Sequence, residues 1–395
     1  MARKPKRDLT VEEQLARGPL DLPFLMLTML LLGVGLIMMF SASFATAYYN
    51  DGDPLVYIKN QAVYAAAGVV VMFLVSKINY QTFRLLSVPG IVAAILLLVL
   101  ALSPLGVELN EVKRWVRIGP IQFQPSEVAK VAVILFFATR LSKRDTEKKK
   151  KWSRRTLTGR TLERLDRIGF LELVPYGAIL MVIALLMLME PHMSGTILIL
   201  AGAAAVLFAA GIKLYWFAGG GAALMGLVVL MMSGYQSTRI LVWQDPWAYP
   251  RDGGYQIIQS LYAIGSGGLL GLGLGKSRQK FLYLPEPEND FIFAIVCEEL
   301  GLIGAGIVLI LFALLVMRGY WIAIHARDRF GALLVVGITT LTAVQVFLNI
   351  SVVTNLIPTT GISLPFFSYG GTALMIQLAE MGIILSVSRQ IPAPR

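Results

Sequence analysis

The chain has 395 residues, of which 56% are hydrophobic and 15% charged, and 35 Lys and Arg against 24 Asp and Glu give a net charge of +11. A soluble domain carries about 25% charged residues, so this composition excludes an ordinary soluble enzyme and makes a lipid bilayer the solvent. The single cysteine, Cys297, excludes an internal disulfide and a metal cluster of several thiolates, and reads as a small buried side chain.

A helix needs roughly 20 mostly apolar residues to cross the hydrocarbon. Ten such segments follow one another at 22–44, 57–76, 85–104, 125–141, 172–190, 194–210, 213–232, 291–317, 331–354 and 366–388. The expected fold is an all-α integral membrane protein. A basic arm (1–20) precedes a ten-helix domain (21–390) and a short tail (391–395), with a basic loop at 140–170 and a long external loop at 233–290. The first segment follows Arg3, Lys4, Lys6 and Arg7 but lacks a small-residue cleavage site, so it reads as a span and not a removable leader. With the N-terminus in the cytoplasm, 25 Lys and Arg fall inside and nine outside, with Lys130 within a helix. That asymmetry predicts both termini inside. The run Lys148, Lys149, Lys150, Lys151, Arg154 and Arg155 reads as orientation and contact with anionic lipid, not as a nucleic-acid surface.

At the outer end of the fourth segment, in KRWVRIGPIQFQPSE, Lys113, Arg114 and Arg117 flank Trp115. Such a cluster suits a lipid diphosphate at the interface, or serves as a plain aromatic anchor. Glu127 and Lys130, three apart on the fourth helix, share a face and can pair, either to fix packing or to line a polar cavity. In the long external loop, Tyr255, Ile257, Ile258, Leu261, Tyr262 and Ile264 give one apolar face too short to span, which predicts an interfacial or re-entrant helix. The following GSGGLLGLGLGK has glycine spacings like a nucleotide loop, but no βαβ unit surrounds it.

The eighth segment, 291–317, would run about 40 Å against roughly 30 Å of hydrocarbon, so its first turns are expected to project outward. Asp290 sits at its start, where a carboxylate either caps the helix or faces substrate. TNLIPTTGISLPFFSYGG, broken by Pro358, Gly361, Pro365, Gly370 and Gly371, is irregular backbone at membrane depth and is expected to line the same cavity as Asp290.

Together these segments resemble the SEDS family of shape, elongation, division and sporulation proteins, more its FtsW than its RodA members. The resemblance is carried by RWVRIGPIQFQPSEVAK, GYQIIQSLYAIGSGGLLGLGLGKSRQKFLYLPEPENDFIFA and PTTGISLPFFSYGG. It implies a peptidoglycan glycosyltransferase that polymerises lipid II at the outer face of the cytoplasmic membrane during cell division. Through the NDFIF context, Asp290 falls on the family's essential acid, the base that deprotonates the acceptor sugar hydroxyl. Substrate-binding candidates are Lys113, Arg114, Trp115, Arg117, Glu127, Lys130, Gln259, Lys280, Glu286, Thr360, Ser363, Ser368 and Tyr369. No metal ligands are assigned, though a divalent cation, Mg2+ or Mn2+, could assist the leaving diphosphate. The implied partners are lipid II and the nascent glycan strand, a class B penicillin-binding protein as transpeptidase, other division proteins and membrane lipids. At EPHMSGT the family commonly has an acid where this chain has His192, which reads as a helix-end polar residue. A lipid II flippase and a noncatalytic scaffold of the division complex are the alternative functions.

Overall fold

The computed structural model describes residues 18–109, 112–119, 121–144, 169–190, 193–221, 234–251 and 253–391. Each apolar segment closes its own backbone hydrogen bonds as a helix, as hydrocarbon requires. In chain order these are α1 (Leu22–Asp51), α2 (Val56–Lys77), α3 (Ser87–Leu102, entered through a 3-10 turn at Tyr80–Leu86), α4 (Pro125–Ser142), α5 (Phe170–Met189) and α6 (Met193–Ala209). Then come α7 (Gly234–Gln244), α8 (Gly254–Gly267), α9 (Ile292–His325), α10 (Arg329–Val353) and α11 (Gly371–Ser388). Of the ten expected spans, nine correspond to described helices. The seventh is helical over 214–221 and otherwise lies outside the described residues, as do His192 and the basic run of the 140–170 loop. Among the described residues, seven helices are long and apolar enough to cross a membrane.

Three features depart from the sequence reading. Three short strands form a small antiparallel sheet, with β2 (Val112–Ile118) between β1 (Gly106–Leu109) and β3 (Ile121–Phe123). The basic cluster therefore sits on a strand, not at a helix end. The eighth segment is also not one straight rod. Gly301 has φ 67° and ψ −172°, which divides α9 into a short buried piece, Ile292 to Leu300, and a long span. The first piece folds into the protein instead of projecting outward, with every residue from Ile292 to Glu299 buried. Finally, the last helix begins at Gly371, and 366–370 belong to the loop before it.

The glycine-rich loop after α8 completes the kink in α9. Leu272 and Gly273 N–H donate to the carbonyls of Glu298 and Glu299, while Leu302 and Ile303 N–H donate to the carbonyls of Gly268 and Leu269. These four bonds replace the helical bonds lost at Gly301. The approach is so close that a Cβ on Gly301 would lie 2.3 Å from Gly271 N, and one on Gly271 2.2 Å from the Glu299 carbonyl oxygen. The glycine spacing that resembles a phosphate loop is thus explained by backbone meeting backbone.

At one end of the bundle, Gly18 N–H donates to the Arg389 carbonyl, Arg318 pairs with Asp21 at 2.7 Å, and Arg84 pairs with Asp328 at 3.0 Å. Both ends of the described chain therefore share one end of the bundle, together with Arg318 and Arg329. Asp290 and the loop before α11 lie at the other.

Candidate active site

Asp290 ends a loop wound through two non-glycine residues in left-handed conformations, Leu282 (φ 64°) and Glu286 (φ 46°). Such conformations cost about 1–3 kcal/mol each and persist only where the surroundings impose them. The constraint is the buried pair Glu298 and Glu299. Glu298 accepts from the amides of Arg278 and Gln279 and from the Ser277 hydroxyl, and Glu299 accepts from the amides of Gly275 and Ser277 and from the Ser41 hydroxyl of α1. Lys280 lies in the same knot. Its Nζ reaches Glu299 Oε1 at 3.0 Å, Ser41 Oγ at 3.0 Å and the Gly275 carbonyl at 2.8 Å. All three ammonium protons are thereby used within the knot, so Lys280, which the sequence reading offered to a diphosphate, is buried holding the loop.

Asp290 does not cap α9, because the cap position is Phe291 and no side chain accepts there. Asn349 of α10 holds the Asp290 backbone instead, its Nδ2 donating to the carbonyls of Asp290 and Ile362 at 2.7 Å each. One side chain thus clamps the acid's loop to the loop before α11. Across that clamp, the Asp290 carboxylate faces the backbone of Gly361, where a Cβ would come 3.9 Å from Oδ2. The carboxylate is half-buried at the mouth between the two loops. Burial raises its pKa to about 6, with the Glu286 charge adding to the rise while its own backbone amide and the Arg239 charge oppose it. Glu288, two residues earlier, is buried and accepts from Thr46 of α1 at 3.4 Å, and burial lifts it to about 7. The cation whose field reaches Asp290 is Arg239 of α7, anchored at 3.0 Å on the Thr359 carbonyl. The sequence reading counted Arg239 only as an external charge.

The other candidates divide into groups. Glu127 and Lys130 form the expected pair at 2.7 Å, with Lys130 only 5% exposed. They line one cavity of about 30 Å3, room for a water or two, with Ser363, Ser368, Tyr369, Gln345, Gln377 and Glu380. Ser368 closes the turn by accepting from Leu364 N–H, Ser363 accepts from Gln345, and Tyr369 N–H donates to the Glu288 carbonyl at 2.8 Å. The loop from 361 to 370 therefore separates the Glu127–Lys130 cavity from Asp290 and touches both. Thr360 belongs to the same loop, its buried hydroxyl without a partner among the described residues. Glu286 is exposed and accepts from Asn289. Gln259 is half-buried on α8, three residues from Gln256, which donates to the Pro285 carbonyl.

Strand alternation splits the basic cluster. Lys113, Trp115 and Arg117 share one face of β2, while Arg114 on the other donates from Nε to the Glu190 carbonyl at 2.9 Å. Arg117 reaches Gln122 on β3, whose carbonyl accepts from Thr372 of α11, so the sheet abuts the first turn of α11. Sequence reading missed Gln61, Gln345 and Glu380. Buried Gln61 of α2 donates to the Ser368 carbonyl and accepts from Gly370 N–H. Glu380, an acid in an apolar helix, carried its own signal, since such residues face polar interiors. Among the described residues no three His, Cys, Asp or Glu side chains converge as metal ligands. They build no protein-only cage for a divalent cation.

A multi-pass helical bundle with a raised carboxylate at one mouth and a buried ion pair behind it defines a membrane protein with a polar site near one end of its helices. The comparisons narrow the class. Residues 22–392 match the family profile of FtsW, RodA and SpoVE, described as "Cell cycle protein". The chain belongs to that family, as the sequence blocks implied. It is 43% identical over 373 residues to "Stage V sporulation protein E" of Bacillus subtilis, covering 93% of this chain and 97% of that one. It is 39% identical over 374 residues to "Probable peptidoglycan glycosyltransferase FtsW" of Geobacter sulfurreducens, covering 94% and 95%. Among solved structures it superposes on a chain described under "Structural coordination of polymerization and crosslinking by a peptidoglycan synthase complex" with TM-score 0.71 and 27% identity, covering 94% of this chain and 98% of that one. Rod shape determining protein RodA of Thermus thermophilus superposes with TM-score 0.64 and 26% identity, covering 95% and 98%.

Proposed function

We propose that this protein is a peptidoglycan glycosyltransferase that polymerises lipid II, with Asp290 as general base. The supporting observation is that, among the described residues, the Asp290 carboxylate is spent on no helix cap and no ion pair. It instead opens between two loops that are themselves rigidly held. An alcohol becomes an adequate nucleophile only as its proton leaves, and a base near pKa 6 is well matched to that task at neutral pH. Asp290 accepts the proton of the acceptor's sugar 4-hydroxyl as that oxygen bonds to the donor's anomeric carbon. The bond from that carbon to the lipid diphosphate breaks with inversion, and the diphosphate leaves with its electron pair.

Positive charge near the developing diphosphate stabilises that separation. Arg239 is suited to supply it beside Asp290, with Lys113, Arg117 and Trp115 on the exposed face of β2 gathering the headgroup. The Glu127–Lys130 pair supports the loop from below. The acid's end of the bundle faces outward across a bacterial inner membrane, with the basic end in the cytoplasm as the charge asymmetry requires. A class B penicillin-binding protein supplies cross-linking. Polymerisation of labelled lipid II in detergent, without sealed vesicles, separates this reading from a flippase or a scaffold, since only a polymerase lengthens glycan there. Asp290→Asn keeps the volume and the carbonyl that Asn349 grips, and should lower the rate by about 10² to 10⁴. A folded Asp290→Asn protein working near the wild-type rate would reject Asp290 as the base.

A further inference from the structure

At the end of the bundle opposite Asp290, a cavity of about 630 Å3 opens between the turn that links α2 to α3 and the last turn of α4. That volume lies within the range of small-ligand sites. Arg84, Arg140 and Lys143 line it, and among its described lining residues there is no carboxylate. Arg84 is fixed there from behind by Asp328, which is 1% exposed and also accepts from Tyr80 and Gln81. Arg140 is exposed, its guanidinium lying 5.6 Å over the ring of Phe136 on its own helix. Thr139 adds a neutral donor. It is 7% exposed and is among the residues that line the cavity, and its buried hydroxyl has no hydrogen-bond partner among the described residues. A buried hydroxyl left unmade costs about 1–3 kcal/mol, so one bordering a cationic cavity is suited to an acceptor supplied from outside the protein.

Leu85 and Val88 form the outer wall and are 76% and 47% exposed. On a membrane helix such side chains face acyl chains. The cavity is thus cationic and hydrogen-bonding within and continuous with the lipid surface without. We propose that it binds the phosphate of an anionic phospholipid, the acyl chains lying over Leu85 and Val88 and the phosphate oxygens accepting from Arg140, Lys143 and Thr139. This site lies about 20 Å along α4 from Glu127, at 1.5 Å per residue. It is independent of the glycosyl-transfer reading.

The test is native mass spectrometry of protein taken from nanodiscs containing equal phosphatidylglycerol and phosphatidylcholine. Wild type should retain phosphatidylglycerol preferentially. Each cation removed should weaken retention about fivefold, so Arg140→Gln with Lys143→Gln loses about 25-fold, while Arg140→Lys retains the lipid. Both side chains are exposed, so their loss leaves the buried core in place, and Thr139→Val is nearly isosteric and should also weaken retention. Equal retention of the two lipids by wild type, or unchanged retention in Arg140→Gln/Lys143→Gln, overturns the proposal. A final arm adds inorganic phosphate at millimolar concentration. If it displaces phosphatidylglycerol and stabilises lipid-free protein to the same extent as the lipid, the ligand is free phosphate and the lipid assignment falls.

Discussion

Replacing Glu299 by Gln tests whether the knot beneath the Asp290 loop is what holds the site together. In the native protein Glu299 is 1% exposed and Lys280 3% exposed, and the carboxylate is the only counter-ion to Lys280 among the described residues. Gln keeps an acceptor for only one of the amides of Gly275 and Ser277, which bond to different carboxylate oxygens, and leaves the ammonium buried and uncompensated. Breaking one side of a buried pair costs about 3–5 kcal/mol, a large part of the roughly 5–15 kcal/mol that holds a fold. Lys280→Met should cost less, because Glu299 still accepts from Ser41, Gly275 and Ser277. Removing both charges in Lys280→Met/Glu299→Gln should therefore cost less than the sum of the single changes, with a coupling of about 1–3 kcal/mol. Denaturation in mixed micelles, followed by tryptophan fluorescence, reads the stability, and lipid II polymerisation measured beside it should fall with loop order. Single costs that add to within about 0.5 kcal/mol, or a Glu299→Gln cost below about 1 kcal/mol, would show that Lys280 and Glu299 do not act as a unit.

The rate should fall on acidification with an apparent pKa near 6, because a base whose pKa is raised to about 6 is lost as pH drops through that value. Arg239→Gln removes a charge that lowers this pKa, so the acid limb should move to higher pH, and a limb that stays put would dissociate Arg239 from Asp290. The linkage sign for stability is opposite to that of a salt-bridged acid. Raised carboxyls favour the folded state more as pH falls through about 7 and 6, so Asp290→Asn should flatten part of that gain in denaturation measured from pH 7 to 5. Gly301→Ala places a Cβ 2.3 Å from backbone at a positive φ, so folded protein should be nearly lost on size-exclusion chromatography, and normal yield would contradict the observed kink. Lys130→Met and Glu127→Gln should be non-additive in thermal stability, since either alone strands a buried charge, whereas additive shifts would remove the coupling.

Much of this architecture was readable because hydrocarbon leaves a helical segment no alternative to closing its own hydrogen bonds, so apolar length alone reports the spans. The Glu127–Lys130 pair was readable for a local reason, since residues three apart on a helix share a face whatever surrounds them. The helix at Gly254–Gly267 also agrees with expectation, whereas the loop before α11 meets the Asp290 loop but lines a small cavity of its own that Asp290 does not border. Hydropathy could not reveal the kink at Gly301, because the segment remains apolar on average despite Glu298 and Glu299, and the break exists only where Gly271 presses against it. Nor could local pattern show that Lys113, Arg114, Trp115 and Arg117 lie on a strand, because β2 is stabilised by pairing with β1 and β3 and by packing against α3. Whether Lys280 or Arg239 serves the acid was likewise beyond the reach of sequence. Both are external cations in the linear reading, and only the long-range approach of Glu299 and Ser41 buries one while the anchor on Thr359 brings the other toward Asp290. Composition, span and local pairing were determined by the chain's own periodicity. The commitment of each charge to structure or to chemistry was decided by tertiary contacts, because a charge's role depends on what surrounds it and not on its neighbours in sequence.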